Sequence, residues 1–237
     1  MGRILVSGFE PFGGERVNPS VMICEGLDGE EILPARPEGG PEGRRESGRK
    51  SGWESGRESV RASSVVLPVT WDGAVEKLVA AARGQAGGDR LLAVVMLGQA
   101  GGSPGLAVER LAVNVATGLD NAGEQRAENA VVPGGPIAYP STLPLGAIVA
   151  AVEACGLPAF ISNTAGTYLC NYVFYGFLHY LATAWGGEPP AAGFIHIPYL
   201  PEQAIGKKPI PPSLSEADIG RAVRAALRAT AEAVRGG

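Results

Sequence analysis

Three polar residues interrupt apolar runs in this chain, and their types suit acyl-transfer chemistry. Cys170 sits in YLCNY, Glu109 in LAVERLAVNV and His196 in GFIHIPY. Cys170 follows a turn, Ser162–Gly166, and opens an apolar-aromatic segment of helical length. A cysteine there faces the positive end of a helix dipole and free backbone N–H groups, which favour thiolate over thiol. Such a thiolate needs an imidazole to manage protons, and the imidazole needs an acceptor to hold its tautomer. The chain has two histidines. His179 lies nine positions beyond Cys170 on the same expected helix, roughly 13 Å along the axis. If Cys170 has an imidazole partner, it is therefore His196, and Glu109 can serve as the acceptor. The alternatives stay open at this level. A buried cysteine is commonly an inert small hydrophobe. A strand histidine often bonds a carbonyl, and Glu109 could pair with Arg110 or Arg90 instead. Cys24 and Cys155 fall within or at the end of expected helices, among apolar residues, and read as inert.

The elements that position these residues follow from the hydrophobic pattern. Buried strands are expected at 3–7, 91–97 and 193–198, with 159–161 as the core of another, and a further strand at 64–69 that ends near Pro68. An extended apolar run covers 106–115. Helices are expected from Asn18–Pro19 to about Leu27, from Asp72 to Arg83, from Pro144 to Cys155 and from Ser213 to Arg235, capped by Ser213 or Ser215. Residues 117–142 read as a long irregular connection. The alternation predicts an α/β sheet covered on both faces. The runs 91–97 and 106–115 lack a helix between them, so some antiparallel pairing is expected. The loop after the first strand carries Phe9 and Phe12, which read equally as core plugs or as a binding loop.

The chain has 237 residues, 45% of them hydrophobic, with a formal net charge of −4. One large domain is expected, 1–237. Residues 36–62 are rich in Gly, Arg, Glu and Ser, nearly without aliphatics, and read as a flexible surface insertion. The acidic balance gives no electrostatic footprint for nucleic acid. No apolar run has membrane-spanning length, and MGRILVSGFEPFGG reads as a first strand rather than a signal peptide. Three cysteines without metal spacing argue against both a disulfide framework and a zinc site. A cytoplasmic protein without metal or cofactor is expected.

Longer blocks narrow the reading. ILVSGFEPFGGERVNPS, GQAGG…VERLAVN, PGGPIAYPSTLP, SNTAGTYLCNYVFY and GFIHIPYLPEQ resemble the pyroglutamyl peptidase I (pyrrolidone carboxyl peptidase) family over almost the whole chain except about 36–62. The resemblance implies a three-layer α/β/α sandwich with a mixed, twisted central sheet, and a homo-oligomer, tetramer or dimer. It implies a cysteine peptidase that removes N-terminal pyroglutamate from peptides through a thioester. Cys170 falls on the nucleophile, His196 on the general base and Glu109 on the orienting carboxylate. Phe9 and Phe12 fall on the pyroglutamyl pocket. Asn18 and Gln99 would bind or shape it through hydrogen bonds, and Leu169 would line it. The lactam is flat, neutral and small, so aromatic rings and backbone groups suit it, and a carboxylate for an α-amine does not. Backbone N–H groups near Gly101, Gly102 and Cys170 are expected to form an oxyanion hole. One departure stands out: Ser103, followed by Pro104, replaces an Arg common in the family after the Gly pair. It leaves the triad intact but raises a rival reading, a pyroglutamyl-binding protein with reduced or lost activity. A phosphorylase on a similar sandwich lacks support, because no basic Gly-rich phosphate loop is present.

Overall fold

The structure is a computed structural model that describes residues 1–35, 58–84 and 88–235. In chain order its elements are β1 (Gly2–Phe9), α1 (Pro19–Gly26), β2 (Glu31–Leu33), β3 (Val60–Leu67), α2 (Ala74–Arg83), β4 (Arg90–Gln99), β5 (Leu106–Glu109) and β6 (Leu111–Val113). Then come β7 (Ala116–Leu119), β8 (Gln125–Asn129), β9 (Ala138–Pro140), α3 (Leu145–Ala154), β10 (Ala159–Ser162), α4 (Leu169–Ala184), β11 (Ala191–Ile197), α5 (Pro201–Ala204) and α6 (Glu216–Arg235).

Among the described residues seven strands form the central sheet, in the order β10-β5-β11-β4-β1-β3-β2. Strands β3, β1, β4 and β11 run parallel. β10 is parallel to β5, while β5 is antiparallel to β11 and β2 to β3. The sheet is therefore mixed, as expected, but not by the expected pairing. β4 and β5 are not neighbours, because β11 enters between them and supplies the antiparallel partner. β1 is buried along all eight residues, as a strand covered on both faces must be. One face packs Val95, Leu97 and Val108 against Ile23 of α1, Ile148 of α3 and Val223 of α6. The other packs Leu5, Val94 and Met96 against Leu78 of α2 and Phe174 and Phe177 of α4. This is the α/β/α sandwich.

Side chains set the helix starts. The Asn18 Oδ1 accepts from Ser20 N at 3.0 Å and caps α1, with Pro19 in the first turn. Ser215, not Ser213, caps α6, its Oγ accepting from Asp218 N at 3.1 Å.

Four expectations need correction. Residues 117–142 are not irregular throughout. They hold the β7–β8 hairpin and β9, which pairs with β6. Only one residue of β8 escapes full exposure, so it shows no hydrophobic alternation. The 159–161 run is an edge strand, not a buried one, and Phe160 is 38% exposed. Of the 36–62 segment, Val60–Ala62 belongs to β3, where Val60 is fully buried. Residues 36–57 lie outside the described residues. Cys155 ends α3 exposed at the surface rather than among apolar neighbours.

Candidate active site

Side chains alternate across a strand, so positions two apart share a face. On the α4 face of the sheet this rule brings together Phe9 of β1, Gly98 of β4, Phe194 and His196 of β11, and Glu109 of β5. His196 stands opposite Gly98 on one neighbour and Ala107 on the other. Glu109 is two residues beyond Ala107, which carries its carboxylate alongside the imidazole. The His196 Nδ1 to Glu109 Oε1 distance is 2.8 Å, and both residues are buried. With Nδ1 bound to Glu109, Nε2 is left for Cys170.

Cys170 is the second residue of α4, and its N-cap, Tyr168, offers no side-chain cap. The first N–H groups of that helix are therefore left to favour negative charge at the site. The sulfur comes down close to the sheet, because Gly98 has no side chain. A Cβ at Gly98 would lie 2.9 Å from Cys170 Sγ and 2.6 Å from Phe194 Cζ. The ring of Phe194 lies 4.8 Å from that of His196 and packs between Phe174 and Phe9. Burial by itself lowers the pKa of His196. Charge and hydrogen bonding from Cys170, then from Glu109, overcome it and push it up to about 9. The imidazole is thus held between the Cys170 sulfur and the Glu109 carboxylate, which together favour its protonated form. Asn171, next in the chain, is fully buried. It bonds Val113 N and O, both at 2.9 Å, and Val115 O at 2.8 Å. That clamp fixes the first turn of α4 against β6.

Beside Cys170 lies a narrow cleft lined by Phe9, Phe12, Asn18, Gln99 and Leu169. All five residues expected to meet substrate therefore converge on it. Their roles differ, however. Phe9 is both core and wall, at 2% exposure. The Asn18 amide is spent on structure, capping α1 and donating to Glu10 O at 3.1 Å. Gln99 ends β4 with its side chain among the other face's groups, where Gln203 donates to its Oε1 at 2.9 Å. Both amides shape the cleft. Val69 and Tyr168 also line it, and sequence reasoning missed both. Tyr168 lies 6.1 Å from Phe12 and 5.5 Å from Trp71, ring to ring, and donates to Leu119 O at 2.8 Å. Its place next to Leu169 and Cys170 in TYLC was the available signal; Val69 gave none.

The remaining expectations resolve simply. His179 bonds Tyr139 Oη through Nδ1 at 2.9 Å, in the body of α4. Burial pushes the Cys24 thiol up to about 11, consistent with an inert cysteine. Ser103 closes a turn onto Ala100 O at 3.2 Å, and its hydroxyl donates to Gly105 O at 2.7 Å. The loop is locally bonded without the Arg. A larger apolar cavity, walled by Leu91, Tyr139, Leu181 and Pro189, opens at the start of β4, the opposite end from Cys170, and holds no catalytic group.

A cysteine at a helix start, an imidazole, a buried carboxylate and an adjoining apolar cleft on an α/β/α sandwich define a cysteine hydrolase. The sequence model of the pyroglutamyl peptidase family matches residues 2–37 and 51–233, and the chain belongs to that family. It is 43% identical over 207 residues to a pyrrolidone-carboxylate peptidase of Chromobacterium violaceum, covering 86% of this chain and 81% of that one. A pyrrolidone-carboxylate peptidase of Pyrococcus furiosus is 37% identical over 241 residues, 97% of this chain and 98% of that one. Among solved structures, pyroglutamyl peptidase I of Bacillus amyloliquefaciens superposes with a TM-score of 0.79 at 32% identity, covering 98% and 97% of the two chains. A mutant pyrrolidone carboxyl peptidase of Pyrococcus furiosus superposes with a TM-score of 0.78 at 36% identity, covering 98% and 99%.

Proposed function

We propose that this protein hydrolyses the bond after an N-terminal pyroglutamyl residue, with Cys170 as nucleophile, His196 as acid and base, and Glu109 as its orienting carboxylate. The observation that carries this is the buried Glu109–His196 pair beside Cys170, directly adjoining an aromatic cleft.

The steps follow from the geometry. The Cys170 thiolate attacks the pyroglutamyl carbonyl carbon, forming a C–S bond. The oxyanion meets N–H donors at the start of α4. The protonated His196 gives its proton to the amine nitrogen as the C–N bond breaks, and the shortened peptide leaves. The neutral imidazole then takes a proton from water, and the resulting hydroxide attacks the thioester. The C–S bond breaks, pyroglutamate departs, and the thiolate–imidazolium pair is restored. Glu109 keeps the proton on Nδ1 and compensates the positive ring throughout.

Specificity follows from what lines the cleft. Apart from the nucleophile Cys170, its walls carry no charged side chain among the described residues. A free α-ammonium would be desolvated there without a carboxylate to pair with. A neutral lactam enters without that cost and stacks against Phe9 and Phe12. The intact ion pair and the relatives' names both favour a peptidase over a binding protein weakened at Ser103.

Among the described residues no helix is long and apolar enough to cross a membrane. All three cysteines are free, and a catalytic thiol suits a reducing compartment, so we place its action in the cytoplasm. Self-association into a dimer or tetramer completes the reading and rests on the family resemblance.

The test is Cys170→Ala on a pyroglutamyl-coumarin substrate. Hydrolysis by the variant is expected to drop on the order of 10⁴-fold. Full activity would refute the mechanism.

A further inference from the structure

Gln203 touches three separate segments that build the cleft, yet lies outside both the triad and the cleft wall. It is buried in α5, just after β11. Its Oε1 accepts from Leu200 N at 3.0 Å. A backbone N–H only donates, so this bond settles which end of the amide is oxygen. The other end, –NH₂, donates to the Val17 carbonyl at 3.2 Å, to Gln99 at 2.9 Å and, more weakly, to Glu15 Oε2 at 3.5 Å. The Gln99 atom that receives it must then be oxygen, so one backbone group orients both amides in series. Val17 immediately precedes Asn18 and closes the loop that carries Phe12. Gln99 ends β4 at the cleft floor. Leu200 follows His196 by four residues.

An aromatic clamp on a flat ring depends on the spacing of its two faces. Phe9 is set by β1. Phe12 sits on the loop to Val17, whose hydrogen-bonded ties to the body are few: Glu10 N on Leu67 O at 3.1 Å, Asn121 Nδ2 on Pro11 O at 3.0 Å, Asn18 Nδ2 on Glu10 O at 3.1 Å, and the Gln203 bonds at Val17 and Glu15. Lys207, from the segment after α5, adds a 2.8 Å ion pair to Glu15 of the same loop. We propose that Gln203 is a positioning residue for the substrate cleft: it ties the Phe12 loop and the end of β4 to the segment after His196, and so sets the width of the lactam clamp without contacting substrate. The inference rests on the peptidase reading above. Gln203 makes no hydrogen bond to Cys170, His196 or Glu109, so its loss should weaken binding and spare the chemistry.

The experiment compares wild type with Gln203→Glu and Gln203→Met on a pyroglutamyl-coumarin substrate, alongside the rate of iodoacetamide labelling at Cys170. Glutamate keeps an acceptor for Leu200 N and loses the donations to Val17, Gln99 and Glu15. Methionine removes all four bonds at similar volume without adding charge. Expected is a KM about tenfold higher or more in both, kcat within about threefold, and an unchanged labelling rate. Folded variants with KM within about twofold of wild type would overturn the proposal. So would a fall in kcat and labelling alongside binding, which marks general damage, or failure of both variants to fold. An inactive wild type would instead sink the peptidase reading itself.

Discussion

Gly98 has no functional group, yet it governs how near the sulfur comes to the imidazole. It is paired in register with His196, and the space its missing side chain leaves is filled by Cys170 Sγ and Phe194. A methyl group cannot be accommodated 2.6 Å from an aromatic carbon unless the ring, the sulfur or both retreat. Misplacing a nucleophile by about 1 Å can cost 10²-fold in rate. Gly98→Ala is therefore expected to lower kcat by roughly that factor while the protein still unfolds cooperatively. Steady-state kinetics with a thermal melt checks this, and an undiminished kcat would contradict it. The other residue-scale prediction concerns protons. Burial opposes charge on His196, and the Cys170 and Glu109 partners overcome it, so its folded pKa of about 9 exceeds its ordinary 6.5. A raised folded pKa means the folded state holds the proton more tightly than the unfolded one. The resulting stabilisation is fully present below about pH 6.5 and is lost as pH rises through about 9. Urea unfolding of wild type and His196→Gln between pH 6 and 10 should show the difference between them shrinking across that window. A constant difference would refute the coupling.

At the scale of elements, the helix start that presents Cys170 is held by its neighbour rather than by a cap. Asn171 replaces the missing N-cap side chain with three bonds to β6 and the residues after it. Asn171→Ala would leave the Val113 N–H and the Val113 and Val115 carbonyls without that partner. A stability loss of about 2–3 kcal/mol is expected by chemical denaturation, with reduced kcat. A loss under about 0.5 kcal/mol would show that the clamp is dispensable. Legibility in the sequence followed burial. β1, β4 and β11 could be read because strands covered on both faces must be almost wholly apolar. For the same reason His196 stood out within β11 and Glu109 within the equally buried β5. β7 and β8 could not be read, because a hairpin mostly in solvent needs no alternation. Gly98 and Gln203 escaped for another reason. Their roles depend on groups more than 70 and 100 positions away in the chain, at Cys170 and Gln99, and no local pattern encodes such contacts.

For the whole molecule, the two faces of the sheet have divided tasks. The α4 face carries the triad and the aromatic wall. The opposite face carries the Gln203–Gln99 contact and the cap of α1, which support the cleft from behind. The site thus spans the sheet's carboxyl ends, where open α/β folds leave crevices for ligands. The sheet's margins have a further consequence. Its central strands β1 and β4 are eight and ten residues long, but the outermost among the described residues, β10 and β2, have four and three. A second molecule aligning edge-on would find only a few rungs to extend. Short margins are one way that sheet proteins avoid templating fibrils. Copies of this chain that associate through their helical layers would thus leave the sheet a closed unit of seven strands rather than the seed of a longer one.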